Sequence, residues 1–278
     1  MKQVFAFFLG ITACLSSVTA QQETSTIDQK GTFFIYWGWN RDAYTKSDIQ
    51  FKGNDYDFEL KDVIANDRQS PFSARIYLNP KNISIPQYNL RLGYYFKNKY
   101  QVSFGVDHMK YVMKNDQTTP IDGYIHNSGT VYDAEYKDTS IALARDFLLF
   151  EHTDGLNYLN IELRRSDVLY ARKNFVVSVQ EGGGAGILVP KTNATLLGNP
   201  RHDAFHLSGY GLGVVGAVNF TFFNYFFLQA EAKGGFIHMP DIRTTMNASD
   251  KASQHFCFLQ FNGLFGARFN LLSKKKSN

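Results

Sequence analysis

Two short segments place a histidine and a serine two residues apart, the spacing at which a base and a nucleophile meet in an extended backbone. The pairs are His126 with Ser128 and His206 with Ser208. Alternate side chains of a β-strand share one face, and an imidazole that accepts the hydroxyl proton makes serine a nucleophile. Both pairs lie at loop edges, and His206 with Ser208, which has Asp203 nearby, is the stronger candidate for acyl hydrolysis.

Three other segments partly match sequence motifs of ligand-binding sites but lack the residues or the secondary structure that those sites require. The segment Gly211–Gly216 matches the dinucleotide-binding fingerprint, but it lies within an alternating strand pattern and no helix follows. Gly182–Gly186 lacks the Lys-Ser/Thr of a phosphate-binding loop. Asp55, Asp57 and Glu59 offer oxygen ligands, but their spacing fits no calcium-binding loop. The sequence therefore predicts no cofactor and no metal site.

The N-terminus has the form of a secretory signal peptide. A charged start precedes the apolar run Val4–Leu15, and small residues lead up to Ala20. This pattern predicts that residues 1–20 are cleaved from the mature protein. A competing interpretation makes the cysteine of Ile11–Cys14, which resembles a lipobox, a lipidated N-terminus.

The mature chain is nearly balanced in charge. Of the 29 Lys and Arg residues, only Lys2 is lost with the signal, so 28 bases face 25 acids. This balance predicts no nucleic-acid partner. Cys257 is then the only cysteine, which excludes an intrachain disulfide. Residues 21–30 form a polar lead, and residues 273–278, with three consecutive lysines, form a basic tail.

Alternation of apolar and polar residues is the main structural signal. After the signal peptide, no apolar run reaches the ~18 residues of a transmembrane helix. Instead, Leu207–Met239 contains two alternating arms around a turn at Phe223–Tyr225, which predicts an antiparallel hairpin. Similar segments bring the predicted strands to eight: Gly31–Asn40, Gln87–Phe96, Tyr100–Asp107, Leu156–Arg164, Phe175–Ile187, the two hairpin arms, and Gln254–Leu272.

The connections between these strands sort by length. Those after the first, third, fifth and seventh strands are long and polar, and the others are short turns. The first long connection is expected to contain a short hairpin of its own at Ile49–Leu60. Short periplasmic turns and long extracellular loops on an even strand number are typical of bacterial outer-membrane barrels. The predicted fold is therefore all-β: an eight-stranded, antiparallel, up-and-down transmembrane β-barrel over residues 31–272. A soluble eight-stranded barrel of the lipocalin kind shares the alternation but not the sorting of loops.

The polar face of these strands carries seven charged residues that we expect to line the barrel interior. A small barrel has an interior filled by side chains, and buried charges require partners of opposite sign. The set nearly cancels and predicts a filled polar core without an open pore: Arg91, Asp107, Glu162, Arg164, Glu231, Lys233 and Arg268.

Four runs of residues resemble uncharacterised outer-membrane β-barrel proteins of Bacteroidota, of the small OmpA type. They are Phe34–Arg41, Gly105–Tyr111, Pro190–Leu197 and Met239–Thr245. The resemblance covers most of the mature chain and implies fold and location, but no chemistry. One departure is the end of the chain, because outer-membrane barrels usually finish on an aromatic residue that the assembly machinery reads, whereas residues 273–278 are polar.

The expected function is that of a structural or surface-recognition protein of the cell outer membrane, acting through its long loops and without catalysis. Its expected partners are outer-membrane lipid, lipopolysaccharide and the barrel assembly machinery, and the partner of the loops stays unknown. Two alternatives are open. One is a lipid-modifying hydrolase, since outer-membrane lipid A deacylases and phospholipases use His-Ser pairs on a barrel's outer face. The other is a soluble periplasmic barrel that binds an apolar ligand.

Overall fold

The computed structural model describes residues 29–77, 79–82 and 85–270, so the predicted signal peptide, most of the lead and the basic tail lie outside the described residues. No helix in the described part is long and apolar enough to cross a membrane. The helical elements are α1 (Ala74–Tyr77) and a 3-10 turn at Pro80–Asn82. The strands are β1 (Thr32–Tyr44), β2 (Ser47–Lys52), β3 (Tyr56–Val63), β4 (Ala65–Asn66), β5 (Tyr88–Lys97), β6 (Tyr100–Met113), β7 (Thr118–Ile125), β8 (Ala134–Ala142), β9 (Leu148–Arg172), β10 (Phe175–Leu188), β11 (Lys191–Leu196), β12 (His202–Phe205), β13 (Gly209–Phe222), β14 (Phe226–Arg243) and β15 (Lys251–Asn270).

Eight of these strands close into a ring. Their order is β1-β5-β6-β9-β10-β13-β14-β15, and β15 pairs back onto β1. All pairs in the ring are antiparallel, and each strand pairs with the next ring strand along the chain. The predicted eight-stranded, antiparallel, up-and-down barrel is therefore confirmed.

The pairing registers fix the dimensions of this barrel. A row of paired residues that leaves β13 at Phe222 passes through every ring strand and returns to β13 at Leu212, ten residues away. A stagger of this size tilts the strands by roughly 40° and gives eight strands an interior that side chains can fill. The ring is therefore too narrow to hold a wide aqueous channel.

The predicted sorting of connections is confirmed after the first, third and fifth ring strands, whereas the connection after the seventh, residues 244–250, is longer than the turns but shorter than predicted. Short turns join β5 to β6, β9 to β10 and β13 to β14. In the last turn, Phe223 and Asn224 both have positive φ, at 54° and 64°, as tight hairpin turns require. All three short turns lie at one end of the barrel, which we call the short-turn end, and the opposite end is the long-loop end.

Side chains near the short-turn end are distributed inside out relative to a water-soluble protein. On β9, Ile161 is 59% exposed, whereas its neighbour Glu162 is only 3% exposed. The same alternation along the other ring strands forms an outward apolar band, the belt, around a polar interior. Leu92, Leu212 and Phe261 are further exposed members of the belt. A charged exception on the outward face is Glu181, which the register sets opposite Arg165.

This distribution reverses along the same strands toward the long-loop end. On β6 the inward residues change from Asp107 to Met109 and Tyr111, and all three side chains are buried. On β9 the reversal lies between Asn160 and Leu156. The inward apolar residues join one buried cluster, while outward positions of the same strands become polar. The barrel therefore contains a polar core within the belt and an apolar core beyond it.

The long connections contain strands, which corrects their prediction as largely irregular loops. The expected hairpin at Ile49–Leu60 is present as β2 and β3, and the sheet continues from β15 through β2, β3 and β7 to β8. β11 pairs with the upper part of β9 and with β12. The fourth ring strand, predicted at Leu156–Arg164, extends to Leu148–Arg172 because its upper part carries this added sheet.

Aromatic side chains ring both margins of the belt. At the short-turn end, Phe33 lies 4.5 Å from Tyr94 between ring centroids, and Phe223 and Tyr225 are exposed. At the other margin, the centroids of Trp37 and Trp39 are 4.7 Å apart. Two aromatic girdles that flank an apolar band are typical of barrels in membranes. Further girdle residues include Phe96, Tyr100, Tyr170, Phe175, Phe222, Phe226 and Phe269 at the short-turn end and Tyr88, Tyr210 and Phe236 at the other.

A titratable side chain, that of His152, is enclosed within the apolar core. His152 lies on the long-loop side of the reversal, outside the belt, and is 0% exposed. Its Nδ1 is 2.9 Å from Thr192 Oγ1, and Gln254 Nε2 donates to its Nε2 at 3.2 Å. Burial lowers the pKa of His152 to about 3, so the imidazole is neutral in the folded protein.

This histidine predicts a loss of stability in acid. Because the ordinary histidine pKa is about 6.5, the unfolded chain takes up a proton below that pH and the folded chain does not. The stability that neutral His152 contributes is present above about pH 6.5 and is lost as the pH falls toward 3. We expect the urea midpoint of the near-ultraviolet circular dichroism to decrease between pH about 7 and about 4.5, and to decrease less in H152Q.

The matched control is H126Q, since His126 is half-exposed in the connection between β7 and β8. This variant should keep the pH dependence of the native protein. An H152Q midpoint that falls as steeply as the native one would contradict the role of His152.

Candidate functional site

Glu162 is the centre of an ion network inside the belt. Its Oε1 lies 3.0 Å from Arg91 Nη2 and 2.6 Å from Lys233 Nζ, and its Oε2 lies 2.5 Å from Arg164 Nη2. Each of these side chains is at most 4% exposed. One carboxylate therefore contacts three cations from three strands.

Two further carboxylates complete the charge balance. Asp107 Oδ2 lies 2.5 Å from Lys233 Nζ, and Asp107 Oδ1 lies 3.6 Å from Arg91 Nη2. Glu231 Oε2 accepts a hydrogen bond from Arg164 Nη1 at 2.6 Å. Three cations and three carboxylates thus neutralise one another, which is the condition for retaining charges in a buried site.

Neutral side chains donate further hydrogen bonds to Asp107 and Glu231. Asn89 and Asn160 donate to Asp107 at 2.6 and 2.9 Å, and Asn262 and Gln229 donate to Glu231 at 2.9 and 3.0 Å. Tyr36 Oη accepts a hydrogen bond from Arg164 at 3.2 Å. These neutral residues lie on the same polar face of the strands as the predicted charges, and their alternation with outward apolar residues is the signal in the sequence that marks them.

Glycines in the wall leave space for the network. It joins β5, β6 and β9 to β14, across the inward faces of β10 and β13. A Cβ atom added at Gly182 would lie 2.9 Å from Arg164 Cγ, and one added at Gly184 would lie 2.6 Å from Glu162 Cγ. The glycine string that resembles a phosphate loop is therefore a thin part of the barrel wall.

Arg268 is inward-facing but lies apart from the network. Its guanidinium carbon is 5.9 Å from the centroid of the Tyr95 ring, and within the described residues it makes no ion pair. It lines a small polar cavity at the short-turn end together with Gln101, Gln180 and Gln229. The cavity volume of about 20 Å³ is enough for a water molecule. Of the seven predicted interior charges, the structure joins six and leaves Arg268 outside the network.

The His-Ser pairs do not form base–nucleophile contacts. Ser208 is buried, and its Oγ donates to the backbone carbonyl of His206 at 3.3 Å. The His206 Nε2 atom lies instead 3.1 Å from Asp241 Oδ2. In the second pair, His126 contacts Glu135, and Ser128 Oγ contacts Asp133. The geometry therefore does not give either serine an imidazole base.

The network generates a prediction about stability. Changing Glu162 to glutamine leaves Arg91, Arg164 and Lys233 without their shared anion in a site closed to water. Breaking a buried ion pair in this way costs about 3–5 kcal/mol. We expect E162Q to lower the urea midpoint of the refolded protein in detergent micelles, measured by the heat-dependent gel shift.

R268Q is the matched control, because it also removes one inward charge but no ion pair of the network. It should leave the midpoint close to the native value. Equal midpoints for E162Q and the native protein would mean that the network does not stabilise the barrel.

Comparisons with known proteins give similarities in structure alone. No protein-family model matches the sequence, and no curated protein matches it. The solved structures it resembles include the outer membrane protein OprG from Pseudomonas aeruginosa, with 10% identity, a TM-score of 0.39, and coverage of 87% of this chain and 97% of that one. The outer membrane protein AlkL in DMPC lipid bilayers has 9% identity and a TM-score of 0.40, with coverage of 91% of this chain and 96% of that one. Ail, the attachment invasion locus protein of Yersinia pestis, has 12% identity and a TM-score of 0.29, with coverage of 86% of this chain and 99% of that one. At these identities and TM-scores, the similarities carry no argument about activity or ligands.

Proposed function

We propose that this chain is an outer-membrane β-barrel protein that displays a folded β-sheet extension at the cell surface, with a filled interior and without catalysis. The observation that carries the proposal is the belt, where the barrel wall has buried charges on its inner face and exposed apolar side chains on its outer face. Lipid is the solvent that matches such an outward face. The resemblance to outer-membrane barrels of Bacteroidota and the expected signal peptide at residues 1–20 agree with this location.

The dimensions of the belt fit a bilayer. The shortest ring strand, β5, has 10 residues and the longest, β9, has 25, whereas a tilted strand needs ~9–11 to cross the hydrocarbon. A closed ring also leaves no strand edge without hydrogen bonds in lipid. The short-turn end then faces the periplasm, and the long-loop end faces the outside.

The filled interior supports a role other than transport through a wide pore. Asp107, Glu162 and Glu231 and their cations occupy the cross-section at one level. The apolar core closes the long-loop end above them, since Phe51, Phe58 and Phe256 are at most 2% exposed. A solute that enters from the periplasmic side would therefore meet two layers of packed side chains.

The surface extension supports a recognition role. Its segments, residues 45–66 and 114–146, contain eleven acids and six bases. Charges of this kind steer a partner of opposite sign, so the sheet formed by β2, β3, β7 and β8 favours a cationic partner. The free edge strand β8 carries Glu135, Lys137 and Asp138, and charges on an edge oppose pairing with other chains.

A lipid-hydrolase role is less well supported. It requires a histidine that accepts the serine proton, and the Ser208 hydroxyl donates to a backbone carbonyl instead. The carboxylate partner of His206 is Asp241, not Asp203, which is nearer in the sequence.

Location is tested by fractionating a Gram-negative host that expresses the full-length chain. We expect the protein in the outer-membrane fraction, with faster migration in unheated than in heated gel samples, because a closed barrel stays folded in detergent. Recovery in the soluble periplasmic fraction would contradict the proposal and favour the soluble barrel.

Pore activity is tested in planar bilayers with the purified, refolded protein and a porin as positive control. We expect no large, stable conductance, because the network and the apolar core block the barrel. Steady channel openings of porin size would show that the interior is not closed.

A further inference from the structure

A separate feature of the outer margin of the belt is a chain segment that lies on the barrel wall. This segment consists of the described residues 68–77, 79–82 and 85–87 of the connection from β4 to β5, and we call it the strap. Its Tyr77 ring lies 5.5 Å from the Trp39 ring between centroids, and Phe72 lies 5.3 Å from Tyr77. The strap therefore extends the long-loop girdle outward by one layer of aromatic rings.

Polar contacts hold both ends of the strap. Arg68 Nη1 is 3.0 Å from Glu151 Oε2, and Gln69 Nε2 donates to the carbonyl of Asn40 at 3.4 Å. At the other end, Lys110 Nζ donates to the carbonyl of Ile85 at 2.9 Å. These contacts place the strap beside the girdle of β1 and the upper part of β6.

The strap exposes two large apolar side chains, those of Phe72 and Ile85. Phe72 is 81% exposed, Ile85 is 48% exposed, and α1 has no buried residue. Many other large apolar residues beyond the belt are buried in the apolar core. Exposed large apolar groups that adjoin a belt mark an extension of the surface that contacts lipid.

The charge of the strap is of one sign. Residues 68–87 contain Arg68, Arg75 and Lys81 and no acid, whereas the segments of the surface extension have an excess of acids. Glu151 holds Arg68. Arg75 and Lys81 make no ion pair within the described residues, and Lys81 is exposed. A basic group beside exposed apolar side chains matches a lipid that carries phosphate at the same depth.

We infer that the strap is a binding site for the phosphate groups of lipid A in the outer leaflet, with Phe72 and Ile85 among the acyl chains and Arg75 and Lys81 on the phosphates. This inference rests on the proposed membrane location, because only then does the long-loop margin of the belt meet the outer leaflet. Long basic side chains extend along apolar surface while their charged ends reach polar headgroups. The strap then holds lipid A against the barrel wall.

The depth of the strap is tested with an environment-sensitive nitrobenzoxadiazole probe on a single cysteine. The full-length protein carries C257S together with F72C, or with V131C as matched control, since Val131 is 90% exposed in the distal extension. In vesicles of dioleoylphosphatidylcholine that contain diphosphoryl lipid A and a doxyl-labelled lipid, we expect quenching at position 72 and none at 131. The chain's two tryptophans, Trp37 and Trp39, report the belt in the same samples.

The outcomes separate this inference from the proposed function. Quenched tryptophans with an unquenched probe at position 72 would overturn the strap as a lipid site and leave the barrel in the membrane. Unquenched tryptophans would overturn the membrane location itself. Quenching of all three reporters, with position 131 unchanged, supports both.

The phosphate contact is tested by titrating diphosphoryl lipid A into the labelled F72C protein in phosphocholine micelles. We expect a saturable blue shift, and R75Q with K81Q should raise the half-saturation concentration by roughly thirty-fold. The matched control, K137Q with R145Q, removes the same charge from the distal extension and should change nothing. Equal effects of the two double variants, or a shift that inorganic phosphate or dioleoylphosphatidylglycerol reproduces, would overturn the assignment to lipid A.

Discussion

The burial of six charged side chains inside a closed ring of strands is the constraint on which the rest of this structure depends. The interior of a ring with eight strands and a ten-residue stagger is only as wide as the side chains that fill it. Each charge must therefore find its counter-charge inside the barrel, either on the same strand, as Arg164 does with Glu162, or across the interior, as Lys233 does with Asp107. The glycines of β10 follow from this requirement, because the wall beside Glu162 and Arg164 has no space for a Cβ. Because the network charges all lie on the inward face of the strands, the outward face of the belt can consist mainly of apolar side chains.

The same strands have a polar interior at one end of the barrel and an apolar interior at the other. Within the belt, the inward residues are polar and the outward residues are apolar. Beyond the belt, the inward residues are apolar and the outward residues are polar, although the strands continue without a break. The change occurs within a few residues, between Asp107 and Met109 on β6 and between Asn160 and Leu156 on β9. Because these positions are neighbours in the ring, they mark a common level. The apolar core beyond this level supplies the burial that fixes the added sheet, which a set of polar loops would lack.

The sequence allowed the ring and its faces to be predicted because period-two alternation is a local property. It identified the eight strands, the sorting of connections and the interior position of six network charges. Apart from the hairpin of β2 and β3, it did not identify the added strands, because β2 and β11 pair with the remote upper parts of β15 and β9. Pro120 and Gly123 also interrupt the alternation of β7. Side-chain direction was equally out of reach: Arg268 shares the inward face but lies beside Tyr95, and Ser208 turns to a carbonyl.

The seam between β1 and β15 has a consequence for how the molecule forms. It joins Thr32 to Asn270, so thirteen register pairs link the two sequence extremes of the barrel. Contacts this remote close slowly because the intervening chain must first be brought together. Until then both seam strands expose unpaired backbone groups, which favours association with other chains. Association with other chains therefore competes with closure of the barrel until β15, the last strand in the sequence, pairs with β1.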